Sequence, residues 1–187
     1  EPQQGTARYG CCALLCLTYR CQYSLVARRF EGLGFRSLEN LSFGEPNVKV
    51  KMDQAIWARR ARRLYSEGPL FARTLNRLRP FILPMHQIVE AVPQDSHVLD
   101  VGCGAGLFLG LLADSGRIER GVGFDMSAPA IALANQMANN LPDSARVVFL
   151  HQTAEDEWPE GLFDVVSLID VMHHVPREQQ RSLLRTA

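Results

Sequence analysis

No sign of charge prevails in this chain of 187 residues, where 20 lysines and arginines face 20 aspartates and glutamates. Nucleic acid is therefore not expected as a partner, because electrostatic steering toward it needs a surplus of positive charge. The five cysteines lack the paired C-x-x-C spacing of a zinc site, and four of them, Cys11, Cys12, Cys16 and Cys21, are too bunched for a spread disulfide framework. They read as reduced thiols in a cytoplasmic protein, with no bound metal expected. No apolar run is long enough to span a bilayer. The stretch YGCCALLCLTY after Arg8 imitates the core of a signal peptide, but Arg20 interrupts it and no small-residue cleavage site is obvious. Internal repeats and low-complexity segments are missing too.

Residues 1–51 lack clear periodicity and begin with Glu1. They are expected to be a leader segment, with Met52 a plausible native start. Residues 52–92 are expected to form an N-terminal helical cap. From Asp53, Ile56, Arg60, Arg63 and Leu64, with Trp57 and Ala61 beside them, predict an amphipathic helix ending near Gly68 and Pro69. Leu70, Phe71, Leu75 and Leu78 predict a second helix that stops before Pro80, and a short third follows Pro84. Between Trp57 and Pro80 stand Arg59, Arg60, Arg62, Arg63, Arg73, Arg77 and Arg79 against one acid, Glu67. Such a stretch is either a solvated face or a basic lid over an anionic substrate.

From Pro93 onward strands and helices alternate. HVLDV, RGVGFD, RVVFLHQ and FDVVSLI read as strands. AGLFLGLLADSG reads as a helix, with Leu107 and Leu111, Phe108 and Leu112 at fourfold spacing and Gly116 as its stop. SAPAIALANQMANN is another, capped by Ser127, with Pro129 in its first turn and Ile131, Ala134, Ala138 and Leu141 along one face. PREQQRSLLRTA begins a last one. This alternation predicts an α/β domain, a doubly wound parallel sheet with helices on both faces.

The strand VLDV runs into GCGAG, so Gly102, Gly104 and Gly106 lie at its C-terminal end, where open α/β sheets bind ligands. Absent side chains let a ligand approach the backbone and the next helix's N-terminal amides. A dinucleotide fingerprint requires G-x-G-x-x-G, yet the third glycine comes at Gly106 and position 107 is Leu107. Asp125, closing the second strand, stands where an acid accepts hydrogen bonds from ribose hydroxyls, in either class of nucleotide ligand.

Taken together, VLDVGCGAG, GVGFDMS and FDVVSLIDVMHHVP resemble the class I S-adenosylmethionine-dependent methyltransferases, in the group that modifies small molecules. The resemblance implies a Rossmann-like fold over residues 93–187 and S-adenosyl-L-methionine as cofactor. It places Asp100 and the backbone from Gly102 through Cys103 and Gly104 to Gly106 against the methionine part. Cys103 fills the small position between two glycines. Asp125 would take the ribose hydroxyls, Met126 one face of the adenine, and carbonyls near Ile169 and Asp170 the methionine amino group. Where the family commonly carries an aspartate before an alanine to take the adenine amino group, this chain has Thr153 before Ala154. The Thr153 hydroxyl, Glu155 or Asp156 would substitute. The family's sheet has seven strands in the order 3-2-1-4-5-7-6, of which four can be placed here. The chain is thus expected to be truncated after the fourth strand, leaving that strand an unprotected edge.

A sulfonium methyl is already activated, so the protein chiefly aligns the acceptor and excludes water. If the acceptor must lose a proton, His173 or His174, just past the fourth strand, is the candidate base. No D-P-P-Y follows that strand, which argues against nucleic-acid amino-group methylation and leaves a small-molecule acceptor. Two alternatives stand beside a methyltransferase: a non-catalytic binding or scaffold protein of the same fold, and a nucleotide-dependent oxidoreductase.

Overall fold

The computed structural model of the chain describes residues 13–17, 48–83, 85–142, 145–171, 175, 176, 178, 180 and 183. Five strands, β1 (Ala13–Leu17), β2 (Ser96–Val101), β3 (Ile118–Asp125), β4 (Arg146–His151) and β5 (Val165–Ile169), form one sheet in the order β1-β5-β2-β3-β4. All pairings are parallel. The four strands expected from the sequence take the order 3-2-1-4. From β2 the chain travels outward through β3 and β4 and then returns to the other side of β2 as β5. The strand order therefore reverses at β2, and a crevice opens beyond the C-terminal ends of β2 and β5.

The edge expectation is corrected by β1. It pairs along the whole of β5, from Ala13 opposite Val165 to Leu17 opposite Ile169. The backbone groups of β5 that would have faced outward therefore have a partner strand. The same ALLCL that imitates a signal-peptide core is also a five-residue apolar run, and length alone does not distinguish the two.

Helices α4 (Leu107–Asp114) and α5 (Ala128–Ala138) are the crossovers out of β2 and β3. Seven of the eight residues of α4 are buried, because the helix is apolar on every side and lies between the sheet and other helices. It ends as expected at Gly116, whose positive φ is accompanied by an N–H bond to the Ala113 carbonyl. For α5, the Ser127 hydroxyl accepts from the Ala130 N–H and Pro129 sits in the first turn.

One face of the sheet is covered by α1 (Val48–Leu64), α3 (Met85–Ala91), α4 and α5, which meet Val98, Phe149 and Val165 in one cluster. On the other face Leu99, Val101, Phe124, Val166 and Leu168 pack with Trp158, Phe163 and Leu183. Alternate residues of β2 thus enter opposite cores, as the pleat requires. The final helix is described only at isolated positions, one of which is Leu183.

Two helix boundaries differ from expectation. Helix α1 begins at Val48 and runs through Met52, and α2 (Leu70–Ile82) continues past Pro80. Pro80 lies in the last turn, where its missing N–H forfeits a single bond, and the Leu83 N–H still reaches the Arg79 carbonyl at 2.9 Å. Trp57, Ala61 and Leu64 of α1 are buried as the pattern suggests, whereas Ile56 and Leu70, Phe71, Leu75 and Leu78 of α2 are exposed.

Candidate functional site

Each glycine of the loop after β2 meets a different neighbour. Gly102, Gly104 and Gly106 all have positive φ, which glycine adopts without steric cost. A Cβ on Gly102 would collide with the Val171 side chain, and one on Gly106 would lie 2.6 Å from the Phe149 ring. At Gly104 the nearest atom to such a Cβ is an Arg79 guanidinium nitrogen, 3.9 Å away. Gly102 and Gly106 are small because protein packs on them, while Gly104 borders open space. Cys103 turns its side chain into the core against Gly123, and burial pushes its thiol well above the ordinary range.

Two carboxylates flank this loop. Asp125 accepts the Gly104 N–H on one oxygen at 2.9 Å and the Ser127 N–H on the other at 2.8 Å. It ties the glycine loop to the start of α5, and each oxygen keeps a second acceptor direction. Asp100, buried at the end of β2, accepts the Ser167 hydroxyl of β5 at 2.6 Å. Burial raises its carboxyl to about 7, opposed by the Ser167 hydrogen bond and the Arg79 charge.

The N-terminal helices wall the loop from outside. The Tyr65 hydroxyl, just past α1, donates to the Ala105 carbonyl at 2.6 Å. Arg79 of α2 reaches to 3.8 Å from an Asp170 oxygen and lies beside Gly104, and its charge also acts on Asp100. Asp170 itself has φ of 60°, a left-handed turn at the end of β5. Other arginines of this stretch are engaged elsewhere, since Arg60 and Arg63 both hold the Asp114 carboxylate at the end of α4.

On the β4 side Met126 is 75% exposed beyond Asp125. The Thr153 hydroxyl donates to an Asp156 oxygen at 3.0 Å and accepts the Glu155 N–H, and the Thr153 N–H reaches the same oxygen. Those two bonds hold the Asp156 carboxyl below the usual carboxylate range. The Ala154 carbonyl accepts the Trp158 indole N–H at 3.1 Å. Thr153 thus builds a turn around an acid three residues later. His173 and His174 lie outside the described residues.

Asp100, the glycine loop, Asp125, Met126, Ile169 and Asp170 therefore collect at one end of the sheet. Ser167 and Tyr65 escaped the sequence reading, and Arg79 entered it only as one of seven arginines of a possible basic lid. Ser167 left a signal, the one polar side chain in VVSLI. Tyr65 and Arg79 left none that separates them from neighbouring helix residues. Among the described residues no three His, Cys, Asp or Glu side chains gather as a metal site, and no helix is long and apolar enough to cross a membrane.

Residues 98–187 match the family model for a methyltransferase domain. Just under half of the chain thus carries the pattern of a methyltransferase domain. The chain is similar to the ubiquinone biosynthesis O-methyltransferase of Pseudomonas paraeruginosa, 35% identical over 79 residues, covering 42% of this chain and 33% of that one. The corresponding protein of Sodalis glossinidius is 35% identical over 82 residues, covering 43% and 31%. The chain spans about a third of the length of these curated relatives. Similar solved structures include a TehB-like SAM-dependent methyltransferase from Corynebacterium glutamicum, at 25% identity and a TM-score of 0.45 over 73% of this chain and 65% of that one. Another is magnesium protoporphyrin IX methyltransferase from Synechocystis with bound SAM, at 24% and 0.44 over 79% and 72%. The domain's glycine loop, Asp100 and Asp125 all fall inside the matched segment, whereas Tyr65 and Arg79 precede it.

Proposed function

We propose that the domain binds S-adenosylmethionine and directs its methyl group to a hydroxyl of a small-molecule acceptor. The observation that carries this reading is the room left at Gly104, where an added Cβ would meet only an Arg79 nitrogen at 3.9 Å, beside the Asp125 carboxylate that accepts the Gly104 N–H. A zwitterionic nucleoside fits such a place. Asp125 offers a second acceptor direction on each oxygen to vicinal ribose hydroxyls. Asp100 and the carbonyls near Ile169 and Asp170 suit an ammonium group, and the Arg79 guanidinium suits the carboxylate beside it. Met126 would lie on the adenine, and the turn at Thr153 and Asp156 would meet its amino group.

The bound cofactor supplies an electrophilic sulfonium methyl. What remains for the chain is to hold the acceptor oxygen in line, keep water away, and take up the hydroxyl proton. His173 or His174 is assigned the last task. The curated relatives are named O-methyltransferases of ubiquinone biosynthesis, which supports an oxygen acceptor on a small molecule. The cysteine pattern supports a cytoplasmic setting. The non-catalytic alternative is not favoured, and no described feature favours the oxidoreductase reading: Leu107 is buried as the first residue of α4.

Titration calorimetry with S-adenosylhomocysteine and with NAD tests the reading. Saturable heat with the first and none with the second is expected. Heat with NAD alone, or with neither, overturns it.

A further inference from the structure

Helix α2 is inverted. At 3.6 residues per turn, Leu70, Phe81, Leu78, Phe71, Ile82 and Leu75 fall within an arc of about 140°. That arc points outward: Leu70 and Phe71 are 77% and 81% exposed, and the other four are about half exposed. On the opposite side Asn76 and Pro80 are buried and Arg79 faces the glycine loop. An amphipathic helix ordinarily turns its apolar stripe to the core. Here the polar side goes inward and the apolar side meets solvent.

Charge accompanies this face. Between α1 and α2 runs a groove of about 360 Å³ lined by Ala58, Leu78 and Phe81 and by Arg59, Arg62 and Arg77. Arg59 and Arg62 are exposed, and Glu67 is the single acid from Trp57 to Pro80. Apolar side chains that project past a row of cations complement an anionic bilayer surface, whose phosphates lie at the level of the arginines and whose acyl chains begin just below.

We infer that α2 and the facing edge of α1 form a docking surface for anionic phospholipid bilayers, with Phe71 and Phe81 inserted and the exposed Arg59 and Arg62 on the lipid phosphates. This inference does not depend on the cofactor reading, because none of these residues borders the Gly104 space. The helix lies in the plane of the surface and does not cross it.

The test is flotation of the chain with vesicles of phosphatidylcholine alone and of phosphatidylcholine mixed with phosphatidylglycerol, alongside size-exclusion chromatography and S-adenosylhomocysteine titration. Binding to the mixed vesicles that weakens with added salt is expected, with little binding to phosphatidylcholine. Phe71→Ser combined with Phe81→Ser, and separately Arg59→Glu combined with Arg62→Glu, should each lower vesicle affinity at least about tenfold. The S-adenosylhomocysteine affinity of both variants should match the parent, showing that they are folded. No flotation with the mixed vesicles, equal flotation with both vesicle types, or either variant floating like the parent overturns the inference. So does a dimer that the phenylalanine variant dissociates while flotation is absent, which would assign the face to a second copy. Release from vesicles by inorganic phosphate at unchanged ionic strength would also overturn it, assigning the groove to a free anion.

Discussion

Substituting alanine at Gly104 and at Gly106 should produce opposite phenotypes, although the two residues are two positions apart in one loop. Both have positive φ, so alanine at either costs about 1–2 kcal/mol in backbone strain. At Gly106 the new methyl would also lie 2.6 Å from the Phe149 ring and 3.1 Å from the Ala134 Cβ, both in the core. Overpacking of that kind adds roughly 1–3 kcal/mol, for a total of about 2–5 kcal/mol. At a few degrees per kcal/mol for a chain of this size, Gly106→Ala should lower Tm by roughly 4–20 °C. At Gly104 the methyl meets nothing nearer than Arg79 at 3.9 Å, so only the strain remains and Tm should fall by about 2–8 °C. Cofactor affinity reverses the ranking. The Gly104 methyl projects into the space assigned to the ligand and should weaken S-adenosylhomocysteine binding at least about tenfold, or ~1.4 kcal/mol. Gly106→Ala, titrated well below its own Tm, should bind within about twofold to threefold of the parent, under ~0.7 kcal/mol. Scanning fluorimetry and calorimetry on the two proteins decide the matter. Normal binding by a folded Gly104→Ala chain would refute the ligand assignment, and equal stability of the two variants would refute the packing account.

Other consequences follow from the carboxylates and the helix cap. Asp125→Ala removes the acceptor of two backbone N–H groups as well as the proposed ribose contacts, each bond to a charged group being worth about 1.5–3 kcal/mol. It should therefore lower both Tm and S-adenosylhomocysteine affinity, and a variant that loses neither contradicts the role. Asp100 has a folded pKa of about 7, above the ~3.9 of an unfolded aspartate. Its contribution to stability is full below pH ~4 and declines as pH rises through about 7. Urea unfolding between those limits should show this decline, and Asp100→Asn should remove it. If the ionised form receives the cofactor's ammonium group, S-adenosylhomocysteine binding should tighten with pH up to about 7 and release a proton below it. Tyr65→Phe deletes the bond to the Ala105 carbonyl and should cost about 1–3 kcal/mol in urea unfolding if that carbonyl is left without a partner.

The parts of the fold governed by periodicity were legible. HVLDV, RGVGFD, RVVFLHQ and FDVVSLI appear as β2 to β5, shifted by at most two residues at any end, because apolar runs with turn residues at their ends allow few alternatives. Ser127 and Gly116 served as helix signals because capping is a local interaction. What local pattern could not give was the pairing of β1 with β5, a contact about 150 residues apart in sequence that no spacing rule encodes. Pro80 misled for a related reason, since its cost depends on how many helical bonds lie downstream. At the site, Asp100 and Asp125 were readable from the strand ends that carry them. Ser167, Tyr65 and Arg79 come from three separate elements and act only through proximity.

Helix α2 connects these observations through a conflict between its pattern and its position. Its apolar residues are spaced for a core, yet burying them would turn Arg79 to solvent and withdraw the cation that acts on Asp100 and Asp170. Asp100 is already difficult to ionise at the end of β2, and the Arg79 charge, with the Ser167 hydrogen bond, opposes the burial that raises its pKa. The inward orientation of Arg79 thus favours the ionised carboxylate that an ammonium ligand requires. The exposed Leu70, Phe71 and Phe81 are the geometric consequence, because one helix cannot direct the same arc both ways. Any partner that covers the outer face also opposes rotation of α2 about its axis. Occupancy outside and the position of Arg79 inside thus meet on one helix, and vesicle binding measured with and without S-adenosylhomocysteine would show whether the two are coupled.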